Sequence, residues 1–229
     1  MRLVLRACYF TGVGRSRFEP RNPKQVRYDA VLQDKKKPVV FAVGPSGTGK
    51  TLLACEHAIR AMEEKRTGKI VITRPAVSVE EQHGFLPGSL DEKMEPWTRP
   101  IYDVFHDRWG VDEVYSLRMH KKLEVCPLAY MRGRTFSDSW IIADEMQNAT
   151  SEQMKMILTR IGEGSKMVIT GDPDQHDRGY EENGLSDIVE RIEKSEGKLR
   201  TFFSVIKFTE EDVERHPVIK DILKLYLSM

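Results

Sequence analysis

Apolar and polar positions along the chain alternate between two patterns. The first is the short unbroken apolar run. Val39-Val40-Phe41-Ala42-Val43 is rich in β-branched residues and shows no polar alternation, which predicts a parallel strand buried on both faces. Lys69–Thr73, Trp140–Ala143, Lys166–Thr170 and Phe202–Ile206 repeat it, and Val125–Tyr130 is a further candidate. The second pattern is helical. It runs from Leu52 to just before Gly68, over Ser151–Ile161 with Met154, Ile157, Leu158 and Ile161 as its core face, and over Gly184–Ile192. A short helix ending at Leu32 is expected before the first strand. A closing helix is expected from Glu210, broken at Arg215-His216-Pro217 and resumed from Val218. Strands alternating with helices predict βαβ units, hence a parallel sheet with right-handed crossovers.

One stretch breaks the rhythm. Leu90 to Trp109 carries Pro96 and Pro100, which are expected to divide any long helix into pieces. Its aromatics (Trp97, Tyr102, Phe105, Trp109) are expected to pack onto the core, with a base-stacking surface as the alternative. Residues 1–20 read as an extension with a strand at Leu3–Phe10, and 21–229 as one domain.

The first apolar run feeds Gly44-Pro45-Ser46-Gly47-Thr48-Gly49-Lys50-Thr51, and a helix follows. Strand, glycine-rich turn and helix are the context in which G-x-x-x-x-G-K-S/T is a phosphate-binding loop. The glycines allow backbone N–H groups to converge on phosphate oxygens, and the helix N-terminus adds positive potential there. Lys50 then reaches the β- and γ-phosphates, and the Thr51 hydroxyl is a ligand for Mg²⁺.

Trp140–Ala143 ends in Asp144-Glu145, which supplies what a phosphate loop lacks. Asp144 is the candidate Mg²⁺ holder and Glu145 the candidate base that polarises the attacking water. The strand at Lys166–Thr170 leads into Gly171-Asp172-Pro173-Asp174-Gln175-His176. Gln175, at the tip of a strand expected between the two motif strands, is the candidate sensor of the γ-phosphate. His176 and His83 have no ligand spacing and are read as non-metal. Arg132 and Arg134, in a glycine-containing loop, are candidates for phosphate, RNA or subunit contact, with an ordinary solvated loop as the alternative. Gln25 can both donate and accept at an adenine edge, against the plainer reading of a solvated helix glutamine.

Composition adds limits. The 36 Lys and Arg balance 35 Asp and Glu, a net charge of +1, so global charge gives no support for nucleic-acid binding. Cys8, Cys55 and Cys126 lack a Cys-x-x-Cys pair and read as reduced thiols. No apolar run approaches the ~20 residues of a membrane helix, and no secretory signal is expected. A cytoplasmic protein is the resulting expectation.

Taken together, GPSGTGKT, ITRPAVSVEEQHGFLPG, PLAYMRGRTF, IIADEMQNAT, EQMKMILTRIGEGSKMVITGD and RHP resemble the PhoH family of ATPases over about Asn22 to Tyr226. The resemblance implies an α/β, RecA-like P-loop NTPase fold with a mostly parallel central sheet flanked by helices, similar to one motor domain of superfamily 1 helicases. By that likeness Gln25 matches the adenine-contacting glutamine, Arg74 the segment after the second strand, Asp144 and Glu145 the acidic motif, and Gln175 the sensor. Methionine stands third in Asp-Glu-Met-Gln, where relatives often have alanine, and the loop after Gly171 lacks a Leu-Pro often seen there.

Some relatives carry a preceding nuclease domain, which the first twenty residues are too short to form. The expectation is ATP hydrolysis with Mg²⁺ by a homo-oligomer, a ring such as a hexamer, acting on RNA or other single-stranded nucleic acid. Arg215 is the candidate arginine finger for a neighbouring site. Its alternatives are Arg178 in that role, or Arg215 paired with Glu211 or Asp212. A nucleotide kinase is disfavoured by the Asp-Glu pair and the lack of an arginine-rich lid. A nucleotide-switched binding module would not need Glu145.

Overall fold

The computed structural model describes residues 18–75, 90–175, 183–196, 199–214 and 218. The strand expected at Leu3–Phe10 and the resumed closing helix lie outside them.

Six strands form one sheet in the order β3-β2-β4-β5-β1-β6, with every neighbouring pair parallel. They are β1 (Val39–Val43), β2 (Lys69–Thr73), β3 (Leu123–Val125), β4 (Ser139–Ala143), β5 (Lys166–Gly171) and β6 (Phe203–Lys207). Among the described residues, the helices of eight residues or more are α1 (Pro23–Gln33), α2 (Lys50–Glu63), α3 (Leu90–Trp109), α4 (Val111–Met119), α5 (Ser151–Leu158) and α6 (Gly184–Lys194). This is the RecA-like α/β fold, with β5 standing between β1 and β4 as expected.

The unbroken apolar runs are explained by burial on both faces. Val40, Ala42, Ile70, Ile72, Ile142 and Val168 pack with Tyr28, Leu53 and Phe105 in one core. Phe41, Val43, Val71, Ile141, Met167 and Ile169 meet Met131, Met154, Ile157 and Leu185 in the other. Successive strand residues therefore serve opposite cores.

Three expectations change. Helix α3 runs unbroken for 20 residues through Pro96 and Pro100. Each proline removes one helical hydrogen bond at a local cost of ~3 kcal/mol. Against that, Ile101 and Phe105 are buried, and Glu63 of α2 holds both Arg108 (3.0 and 2.9 Å) and the Trp109 indole (3.1 Å). Packing onto α2 outweighs the local preference. Tyr102 and Phe105 lie in the core, so the aromatics of α3 pack inward as expected.

The strand expected at Val125–Tyr130 is Leu123–Val125 instead, followed by a 3-10 turn at Leu128–Met131. Cys126 still donates to the Ile72 carbonyl (2.9 Å), but Pro127 has no N–H with which to continue the ladder. Helix α5 ends at Leu158 rather than Ile161, because the chain turns to bridge Ile161 to Phe136. A Cβ at Gly162 would lie 2.7 Å from the Phe136 carbonyl oxygen, so only glycine allows that approach.

Candidate active site

The site lies at the C-terminal ends of β1, β4 and β5, where parallel sheets assemble ligands. The phosphate loop joins β1 to α2. Gly44 has φ +131°, and a Cβ there would come within 2.3 Å of the Phe208 carbonyl oxygen. Gly49, at φ +84°, caps α2 without a side chain, and no carboxylate stands in the first turn. Helices α1 and α5, by contrast, are capped by Asn22 and Thr150. The uncapped N–H groups of α2 and its dipole are thus available to an anion.

The loop is braced by its own chain. Thr48 Oγ1 donates to the Pro45 carbonyl (3.0 Å), Tyr28 donates to the Lys50 carbonyl (3.3 Å), and Glu214 N donates to the Gly47 carbonyl (3.0 Å). The Lys50 ammonium folds back onto the carbonyls of Gly44 (2.5 Å) and Pro45 (2.6 Å). Phosphate oxygens offer the same protons a charged acceptor, which makes a stronger bond.

Thr51 Oγ1 donates to Asp144 Oδ1 at 2.8 Å, and Thr170 Oγ1 donates to the same oxygen. Asp144 is buried. Thr51 and Asp144 come from different elements, and their hard oxygens suit Mg²⁺. Among the described residues no group of three or more His, Cys, Asp or Glu could form an all-protein metal cage. One hydroxyl and one carboxylate fit a Mg²⁺ ion that takes its other ligands from water and phosphate.

Glu145 follows in the left-handed conformation, φ +53°, unusual for a residue with a side chain. Gln147 Nε2 donates to Glu145 Oε2 (2.5 Å), and Gln147 Oε1 accepts from Asp172 N (3.1 Å). A cavity of about 250 Å³ gathers Ser46, Lys50, Thr51, Asp144, Glu145 and Gln175. Gln175 is exposed on its rim, its backbone N donating to the Asp172 carbonyl (3.0 Å). A phosphate loop, a paired hydroxyl and carboxylate, and a second carboxylate around one cavity can bind a nucleoside triphosphate and orient water toward it.

A model of the PhoH-like protein family matches residues 17–227. The chain belongs to that family. It is 46% identical to the PhoH-like protein of Bacillus subtilis over 194 residues, 84% of this chain and 59% of that one. It is 43% identical to the PhoH-like protein of Mycobacterium tuberculosis over 209 residues, 90% of this chain and 57% of that one. Protein PhoH of Escherichia coli is 40% identical over 210 residues, 90% and 57% of the two chains. The chain thus spans less than two thirds of the length of these curated relatives. Among solved structures, the Sulfolobus solfataricus SWI2/SNF2 ATPase core in complex with dsDNA superposes with TM-score 0.48 at 14% identity, covering 87% of this chain and 49% of that one.

Two candidate residues prove to be engaged elsewhere. Gln25 is buried, its Nε2 donating to the Thr48 carbonyl (3.0 Å) and its Oε1 accepting from Arg21 N (2.8 Å). In this structure its amide braces the phosphate loop at Thr48. Arg134 is gripped at both nitrogens by Glu124 (2.6 and 3.0 Å) and lies 4.5 Å over the Phe136 ring. That bidentate bond, with Lys69 beside it, holds the Glu124 carboxyl down at about 2. Arg134 therefore anchors the loop to β3, with its side chain only partly open to solvent. Arg132, two residues earlier, is exposed.

Arg215, Arg178, His176 and His83 lie outside the described residues. Arg74 donates to the Trp97 carbonyl (3.4 Å).

Sequence reasoning missed Gln147 and Thr170. The signal for Gln147 was an amide two residues past Glu145. For Thr170 it was a hydroxyl closing an otherwise apolar strand, at the height where β5 passes β4.

Proposed function

We propose that the chain is a Mg²⁺-dependent ATPase that works in the cytoplasm as an oligomer, a ring such as a hexamer, on RNA or another single-stranded nucleic acid. The observation that carries the hydrolytic reading is the shared cavity of Lys50, Thr51, Asp144 and Glu145. Lys50 leaves its backbone carbonyls for the β- and γ-phosphates, and the α2 N-terminus receives the same charge. Thr51 and Asp144 would hold Mg²⁺, which would supply charge neutralisation at the phosphates. Glu145 accepts the proton of a water oriented in line with the γ-phosphate, and Gln175 contacts that water or the phosphate. A carboxylate beside the γ-phosphate favours water over a kinase acceptor.

The oligomeric and nucleic-acid parts rest on different support. The described residues form a single motor-type sheet, and Arg132 is an exposed cation in a glycine loop. The cationic finger is proposed to come from Arg215 of a neighbouring copy.

The test is steady-state phosphate release from ATP, with and without single-stranded RNA, for wild type, Lys50→Ala and Glu145→Gln. Lys50→Ala is expected to lose ATP binding. Glu145→Gln is expected to keep binding and lose about 10²–10⁴ in rate. Near-normal turnover of Glu145→Gln would remove it from the mechanism. Binding without release by wild type would leave a nucleotide-switched module.

A further inference from the structure

The opposite end of the sheet holds a second cavity of about 730 Å³, which shares no lining residue with the first. It lies where Pro38 leads into β1, where Ser139 and Trp140 open β4, and where Lys166 opens β5. Five-residue strands separate it from the phosphate loop by about 17 Å. Five of its lining residues are cations (Lys35, Lys37, Lys65, Arg66 and Lys166) and none is a carboxylate.

Three of these cations are held there by the fold. Lys166 donates to the carbonyls of Val31 (2.9 Å), Leu32 (2.6 Å) and Asp34 (3.0 Å), closing the C-terminus of α1, and stands 5.8 Å over the Trp140 ring. Burial lowers its pKa to about 8, which keeps it charged at neutral pH. Arg66 is paired with Glu64 (2.6 Å), and Lys37 reaches the Phe203 carbonyl (3.4 Å). Lys35 and Lys65 are exposed and make no ion pair among the described residues. Lys65 is held in the left-handed conformation, φ +54°, in the turn that ends α2, where glycine would cost less. The indole N–H of Trp140, also in the wall, is buried without a hydrogen-bond partner. Leu32, Pro38, Ala61 and Ile161 give the cavity apolar surface beside its charge.

We propose that this cavity is a second ligand site, for a free phosphorylated molecule the size of a nucleoside monophosphate. The volume lies in the range of small-molecule pockets. The excess of positive charge without a lining carboxylate selects an anion, and Lys35 and Lys65 are the cations available to reach it. The apolar wall takes the body that carries the phosphate. The site is remote from the phosphate loop and does not depend on ATP hydrolysis by this chain.

Calorimetric binding of AMP, inorganic pyrophosphate and a ten-nucleotide poly-U, each to the Lys50→Ala chain, tests it. Disabling the phosphate loop confines the signal to other sites. The expected result is saturable AMP binding at one site, pyrophosphate at least 10-fold weaker for want of the apolar body, and poly-U no tighter than AMP. Adding Lys35→Ala and Lys65→Ala is expected to weaken AMP at least 10-fold.

Lys65→Gly separates binding from folding, because it removes the cation while relieving the backbone. It is expected to melt no lower than its parent yet bind AMP several-fold more weakly. No saturable AMP binding, unchanged affinity in the double-alanine chain, or equal binding of pyrophosphate would each overturn the proposal. Poly-U binding far tighter than AMP would make the cavity a nucleic-acid surface instead.

Discussion

Gln147 is expected to set the rate of hydrolysis without touching the nucleotide. Its amide bridges Glu145 Oε2 and Asp172 N, so Gln147→Ala removes both bonds together. The bond to Glu145 joins an amide donor to a carboxylate, a charge-assisted contact worth about 1.5–3 kcal/mol. If that contact holds the base on line in the transition state, its loss costs about 10–150-fold in kcat. The ceiling is the 10²–10⁴ expected for losing the base altogether.

The second bond predicts a stability cost. Asp172 N is left without its acceptor in a buried setting, at about 1–3 kcal/mol. Lys50, Thr51 and the α2 N-terminus are untouched, so KM for ATP should stay within about threefold. A structural role alone would lower the melting temperature and leave kcat per folded molecule intact. Gln147→Glu adds a like charge beside Glu145 and should move the pH–rate profile, whereas Gln147→Asn should restore little, being one methylene short. The assay is phosphate release at saturating ATP on chains shown to be folded by thermal unfolding. Wild-type kcat in folded Gln147→Ala would refute the reasoning.

Three further outcomes are expected. Gln25→Ala should weaken ATP and GTP alike, because it frees the Thr48 carbonyl under the loop; a selective loss of ATP would return this amide to reading the base. Glu124 sits at about 2, below its ordinary 4.5, because Arg134 and then Lys69 bind the charged form. Its stabilisation is complete above about pH 4.5 and lost as pH falls toward 2. The shift corresponds to about 3 kcal/mol, reduced by solvent screening to about 1–2 because Glu124 and Arg134 are 25% and 38% exposed. The gap in unfolding free energy between wild type and Glu124→Gln should therefore close between pH 4.5 and 2; a gap independent of pH would contradict the pairing. Mixing inactive Lys50→Ala and Arg215→Ala chains should recover part of the ATPase activity at mixed interfaces, and no recovery in confirmed mixed assemblies would exclude Arg215 as a finger in trans.

The parallel sheet and its principal site were legible in the sequence because both are encoded locally. A strand buried on two faces must be apolar at every position, as in Val39–Val43 and Trp140–Ala143. A phosphate loop needs glycines, lysine and threonine at fixed spacing after such a strand. The place of β5 between β1 and β4 also matched the expectation.

What only the tertiary structure decided concerns residues whose partners are remote in the chain. Gln25 and Thr48 are 23 residues apart, and Glu124 binds an arginine ten residues on, so side chains that read as available contacts are instead engaged. Prolines 96 and 100 argue locally for breaks, and packing of α3 onto Glu63 and the core overrides them. Gln147 acquires a role because the left-handed turn at Glu145 and the end of β5 bring two groups within reach of one amide. Spacing along a strand or loop is written in the sequence, whereas the choice among several hydrogen-bond partners is made only when the sheet closes.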